Sequence, residues 1–261
     1  MNKEQRAEKQ NNDGRYSRQI LIEQIGEEGQ EKLAASSVIV IGAGGLGSPA
    51  LIYLATAGVG CIGLVDSDKI ALSNLNRQFL HNTCDIGRFK ADSAKEKLSN
   101  LNNKIKIKTF NTHLTDDNAE EILSGFDIVI GAVDSFETRF VINKACVLLH
   151  KQGLHIPYID GGINGFSGSV LFSNPPHTPC LNCIFPQDIE KKETQKKHNT
   201  GVLGTTAGVI GTIEANSALL YLLGLPNPIE NKLLFYNGLH MSFDHIDIKR
   251  NENCSVCNKE K

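Results

Sequence analysis

Three groups of residues in this chain have types and spacings that can do chemistry. The first is a glycine turn, Gly42-Ala43-Gly44-Gly45-Leu46-Gly47, with Asp66 closing the next apolar run. Gly42 lets the chain turn sharply, and Gly44 lets backbone N–H groups approach phosphate oxygens. Gly47 allows a helix to pack closely on a strand. An acid placed like Asp66 can hold ribose hydroxyls. This is the chemistry of a nucleotide site, and the pattern fits NAD as well as ATP. A packing turn without a ligand is the plainer alternative. The second group is Asn74, Asn76, Arg77, Gln78, His81, Arg88 and Lys90. They lie in a stretch without a hydrophobic period, and such donor-rich loops bind ligands when they leave the carboxyl end of a parallel sheet. The third is Cys180-x-x-Cys183 with Cys254-x-x-Cys257. Two such knuckles can close a tetrahedral thiolate site around Zn²⁺ and pin the C-terminal tail to the rest of the chain. A redox C-x-x-C pair or unpaired thiols are the other readings. Four thiolates leave no open position, so a zinc here is structural.

The elements that must carry these groups follow from hydrophobic pattern. Val38–Ile41 reads as a buried strand, and Leu51, Leu54, Ala55 and Val59 have helical spacing. Ile62–Val65 is a second strand. Together they form a βαβ unit that puts phosphates on a helix N-terminus. Ala91–Leu101 reads as a helix with Lys90 at its start, and Lys104–Phe110 as an alternating strand. Phe126–Ala132 is a strand that leads into Val133-Asp134-Ser135, and Phe136–His150 is a helix. Strands and helices alternate to about residue 160, which predicts a Rossmann-like, doubly wound α/β fold. Its mostly parallel sheet continues into antiparallel strands at Gly168–Phe172, Leu233–Tyr236 and Phe243–Ile248, with the four cysteines as a zinc staple. Gly204–Leu223 reads as a long helix of small residues, suited to close burial against the sheet or a partner subunit.

Residues 1–14 are polar with little to bury, so a disordered tail is expected. Residues 15–261 read as one domain: N-terminal helices over 15–36, a nucleotide-binding half over 37–160, and a second half over 161–261. Arg15 and Arg18 lie in the first helical segment, as a solvated helix start or as phosphate ligands. The net charge is −2, which gives no reason to expect a nucleic-acid partner. No secretory signal and no membrane-length apolar run are expected, which points to a cytoplasmic protein without a membrane partner.

The segments RYSRQI, VIGAGGLGSPALIYLATAGVG, VDSDKIALSNLNRQFLH, IGRFKADSA, GAVDSFETR, GFSGSV, CLNC and GVLGTTAGVIGTIEA occur in the order and spacing of the MoeB/ThiF/HesA family. These proteins are bacterial relatives of ubiquitin-activating enzymes, and the resemblance runs from Arg15 to Cys257. It implies adenylation of the C-terminal glycine of a ubiquitin-like sulfur-carrier protein ending in Gly-Gly, with ATP and Mg²⁺, by a homodimer. A short-peptide acceptor, as in microcin maturation, is the alternative. The implied ATP contacts are Gly42, Gly44, Gly45, Gly47, Asp66, Asp68, Asn74, Arg77, Gln78 and Lys90. The implied catalytic set is Arg77, Lys90, Asp134 as the Mg²⁺ ligand, and Arg18 reaching the neighbouring subunit's phosphates. Two departures stand out. Lys197 occupies the position where many relatives have a cysteine, so this loop has no thiol for a thioester step. Ser135 follows the metal acid where Asn is usual.

Overall fold

The computed structural model describes residues 14–185 and 201–258. One eight-stranded sheet forms the centre, in the order β3-β2-β1-β4-β5-β6-β7-β8. Strands β1 (Ser37–Ile41), β2 (Cys61–Val65), β3 (Lys106–Phe110), β4 (Ile128–Gly131) and β5 (Tyr158–Asn164) pair in parallel. Strands β6 (Ser167–Ser173), β7 (Lys232–Asn237) and β8 (Ser242–Asp247) continue the sheet antiparallel. This is the expected architecture, and the change of direction falls at the short β5–β6 turn.

Alternate residues of the central strands face two cores, as the period of a strand requires. Val38, Val40, Ile62, Leu64, Ile128 and Ile130 pack with α3 (Gly47–Ala57), α4 (Lys90–Leu101) and the long helix Gly204–Leu223. Ile39, Ile41, Val65 and Val129 pack on the other face with the short helix Ala119–Leu123 and with Phe136–Lys151. Among the described residues the α-helices are, in chain order, α1 (14–20), α2 (Gly26–Ala35), α3, α4, α5 (Ala119–Leu123), α6 (Phe136–Lys151), α7 (Leu181–Ile184) and α8 (Gly204–Leu223).

Several expectations are adjusted. Gly14, the last residue of the tail expected over 1–14, is the first residue of α1, and residues 1–13 lie outside the described residues. The substitution of Lys197 for cysteine also lies outside them. Helix α8 is 20 residues long and apolar enough by length and composition to cross a membrane, which the sequence reading did not anticipate. In the fold it is a core helix. Gly211 lies so close to the Leu46 carbonyl that a Cβ would sit 2.1 Å from it, and the buried Glu214 faces β5. Small residues are therefore needed where α8 meets α3, and the helix ends at Gly224 in the left-handed conformation.

Candidate active site

The carboxyl ends of β1, β2 and β4 meet at the point where strand order reverses, between β1 and β4. In such sheets this crevice is where ligands bind. Gly42 leaves β1 at φ +102°, and a Cβ there would lie 2.5 Å from the Ala132 carbonyl beyond β4. Gly47 opens α3 so close to the loop that a Cβ would meet the Gly42 carbonyl at 1.9 Å. Both glycines are fixed by backbone contact, which sets the N-terminus of α3 at the carboxyl end of β1.

Asp66 follows β2 and organises this loop. Its Oδ2 accepts from the Ala43 amide at 2.8 Å and its Oδ1 from the Asp68 amide at 2.8 Å. A carboxylate has further lone pairs for a ribose. Lys90, at the start of α4, is buried and donates to Asp68 at 2.8 Å. Arg77 lays its stem against Gly45 and donates to the Ser73 carbonyl and Asn76 Oδ1. Gln78 is buried beside Gly44, and its Oε1 has no partner. Asn74 is turned to its own loop, accepting from the Ala71 amide. Asp134 is exposed between β4 and α6, where Ser135 caps α6 by accepting from the Thr138 amide at 3.2 Å. The expected residues Gly42, Gly44, Gly45, Gly47, Asp66, Asp68, Asn74, Arg77, Gln78, Lys90 and Asp134 thus lie along one rim.

Two residues of the basic stretch have other work. Arg88 pairs with Asp85 at 3.0 Å and Glu96 at 2.6 Å. His81 is buried, with Nδ1 3.1 Å from Ser93 Oγ and Nε2 3.1 Å from the Ala43 carbonyl. Burial holds its pKa below the ordinary value, so the neutral ring ties the glycine loop to α4. The sequence marked His81 only as one donor in a polar stretch.

Arg18 is not brought to this rim. Helix α1 docks at the opposite ends of α3 and α4: Arg15 donates to the Leu101 carbonyl at 2.8 Å and Gln19 to the Ala57 carbonyl at 3.0 Å. Tyr16 fills the space over Gly58. Helix α3 has 11 residues, so one helix length, about 16 Å, separates Arg18 from the glycine turn. Arg15 is a structural residue, and Arg18 is exposed.

Cys180, Cys183, Cys254 and Cys257 converge with all four sulfurs within 4.8 Å of one another. Three of the separations are 3.8, 3.6 and 3.5 Å. Sulfurs about 2.3 Å from a tetrahedral Zn²⁺ are about 3.8 Å apart, so the cluster fits zinc. It joins α7 to the C-terminal turn and packs on Val147 of α6.

Fold and rim define an α/β protein of the Rossmann-like class, with a glycine turn at the crevice where such sheets bind ligands. Residues 16–256 match the ThiF family, and the chain belongs to that family. It is 41% identical over 251 residues to the sulfur carrier protein adenylyltransferase of Thermus thermophilus, covering 94% of this chain and 91% of that one. It is 38% identical to the SAMP-activating enzyme E1 of Haloferax volcanii, covering 93% and 88%. It is also 41% identical to the adenylyltransferase and sulfurtransferase MOCS3 of Culex quinquefasciatus, of which it spans 55%. Among solved structures, E. coli MccB with MccA-N7isoASN has the same fold, with a TM-score of 0.83 over 95% of this chain and 75% of that one at 24% identity.

Proposed function

We propose that this protein is an ATP-dependent adenylyltransferase. It activates the C-terminal glycine carboxylate of a ubiquitin-like sulfur-carrier protein as an acyl-adenylate and releases pyrophosphate. What supports this reading is the placement of Asp66 and Arg77 against one glycine turn, with Lys90 bonded to Asp68 beside Asp66 and Asp134 two residues beyond the Ala132 that packs on Gly42. The similarity to carrier adenylyltransferases over nearly the whole chain supports it.

The chemistry asks for these residue types. The attacking carboxylate is already ionised at neutral pH, so no general base is needed. Charge grows on the α-phosphate and on the leaving pyrophosphate, and fixed cations at those oxygens lower the barrier. Arg77 and Lys90 are assigned to that role, and Asp66 to the ribose. Asp134 would hold Mg²⁺, a cation that binds through one or two carboxylates plus phosphates and supplies further charge neutralisation there. The four cysteines would hold one structural Zn²⁺.

The site is completed in this reading by Arg18 of a second copy, because in its own subunit Arg18 sits a helix length from the rim. The face available for that copy is an open groove of about 710 Å³. Leu203, Val209 and Ile213 of the α8 region line it with Phe79, Phe243 and Arg77. The carrier is assigned to the tips of the antiparallel hairpins, on the same rim as the glycine turn. Phe166, Leu239 and Met241 are exposed there, and an apolar patch of that kind marks a protein-binding surface.

ATP–pyrophosphate exchange tests the reading. Exchange should depend on a carrier ending in Gly-Gly and vanish when the two glycines are removed. Exchange with a short peptide acceptor and none with any carrier would replace this reading with peptide adenylation.

A further inference from the structure

Asp134 stands in a segment that the sheet does not hold. Pairing of β4 with β5 ends at Gly131↔Asp160, and beyond it Ala132 bonds only toward β1, through its amide to the Ile41 carbonyl. The segment then turns into α6. What joins the first turn of α6 to β5 is Arg139. Its Nε donates to Asp160 Oδ1 at 2.7 Å, and its Nη2 donates to Asp160 Oδ2. Tyr158 donates its hydroxyl to Asp160 Oδ1 at 2.5 Å. The guanidinium lies 4.3 Å from the ring centre of Phe136 and 5.7 Å from that of Phe185. It also covers Gly162, where a Cβ would come within 3.4 Å of it.

We infer that Arg139, gripped by an Asp160 carboxylate that Tyr158 also holds, is a positioning residue that sets where the Asp134 carboxylate stands on the rim. The inference rests on the proposed role of Asp134 as the Mg²⁺ ligand. A plain structural role is the alternative to weigh. A buried ion pair adds little net stability over an apolar pair of similar volume, so stability alone is a poor reason for one. A two-pronged arginine–carboxylate contact does fix direction, because both prongs must be met at once. Here the direction fixed is that of the turn carrying Asp134 and Ser135.

The test removes the charges without leaving one unpaired. In the full chain, Tyr158→Phe, Asp160→Leu and Arg139→Met are combined. Mn²⁺ affinity is read by electron paramagnetic resonance in the presence of a non-hydrolysable ATP analogue, with Asp134→Ala as the control that removes the carboxylate. The triple variant should melt within a few degrees of the parent and bind the analogue without metal as the parent does. Its Mn²⁺ affinity should fall at least tenfold, and the Mg²⁺ needed for half-maximal pyrophosphate exchange should rise by a similar factor. A folded triple variant with parental metal affinity would overturn the inference and leave the adenylation reading intact. Should the triple variant not fold, Arg139→Lys keeps the charge and loses the second prong. It should weaken Mn²⁺ binding, and parental affinity in that variant would overturn the inference equally. A parent whose Mn²⁺ affinity is the same as that of Asp134→Ala would overturn both readings.

Discussion

The Nζ of Lys90 lies 2.8 Å from Asp68 Oδ2, with the lysine side chain 8% exposed and the aspartate 63% exposed. The Lys90 amide also donates to the Asp68 carbonyl at 2.9 Å. The pair thus holds a buried cation at the mouth of the nucleotide crevice through a partner that is mostly in water. Such a half-exposed pair contributes at most about 1 kcal/mol, so it can yield when phosphates arrive. Lys90→Met should lower adenylation by about 10²–10³-fold, the usual loss for one charge-stabilising group, with little change in melting temperature. Asp68→Asn should lose much less. Comparable losses in the two variants would contradict the assignment of Lys90 to the phosphates. The measurement is steady-state pyrophosphate exchange alongside thermal melting.

Glu214 gives a pH prediction. It faces Gly161 from α8, it is fully buried, and neither of its carboxyl oxygens has a partner of hydrogen-bond geometry. Burial raises its pKa well above the ordinary 4.5, with the Asp160 charge adding to the effect. A folded-state pKa above the unfolded one means that the folded protein binds the extra proton. The contribution of Glu214 to stability therefore falls as pH rises above about 4.5, by up to about 1.4 kcal/mol per pH unit until the folded pKa is reached. Glu214→Gln removes this slope. The stability of the variant relative to the parent should grow as pH rises above about 4.5 in urea unfolding, and a constant difference would refute a neutral Glu214.

The cysteine cluster predicts a metal content. The purified protein should carry one equivalent of zinc, and Cys183→Ser or Cys257→Ser should release it. Both variants should melt at lower temperature, because binding free energy at such a site is folding free energy. The rim residues are untouched, so ATP affinity should stay within a few fold below the melting temperature. Metal analysis of the intact protein that finds no zinc would sink the staple.

What the sequence made legible has a common physical character. The glycine turn and Asp66 form one contiguous strand–turn–helix–strand passage, in which local spacing dictates geometry. The cysteines announce themselves by ligand spacing alone. Helix α8 was readable to its ends because Gly224 stops it in a conformation that other residues rarely adopt. Less legible were contacts between distant segments on a shared strand. Arg139 finds Asp160, and Glu214 finds Gly161 on the opposite face of β5, and nothing periodic links those positions. The helix Ala119–Leu123 has five residues, too few to display a period. Arg88 looked like a ligand because charge is visible in sequence, whereas its neutralisation by Asp85 and Glu96 is visible only in the fold.

Separate positions for Arg18 and the rim predict subunit complementation. Arg18→Ala and Asp134→Ala should each be nearly inactive, the first because an arginine supplied to a phosphoryl transition state is worth about 10³-fold or more. After the two mutants exchange subunits, half the dimers should be mixed, and each should hold one site with both residues intact. Activity should return to about a quarter of the parent's, by the counting of a two-fold dimer. No recovery after demonstrated exchange would place Arg18 outside the shared site.

The central claim is that a carboxylate attacks the α-phosphorus of ATP, and oxygen labelling tests it most directly. A carrier protein labelled with ¹⁸O at its C-terminal carboxylate is incubated with the enzyme, ATP and Mg²⁺, and the acyl group is then trapped with hydroxylamine. Attack at the α-phosphorus, followed by cleavage at the acyl carbon, must leave one ¹⁸O atom on the released AMP, with pyrophosphate as the other product. Singly labelled AMP in amounts equal to the trapped acyl group is the result predicted. Unlabelled AMP, or ADP with labelled phosphate, would contradict it.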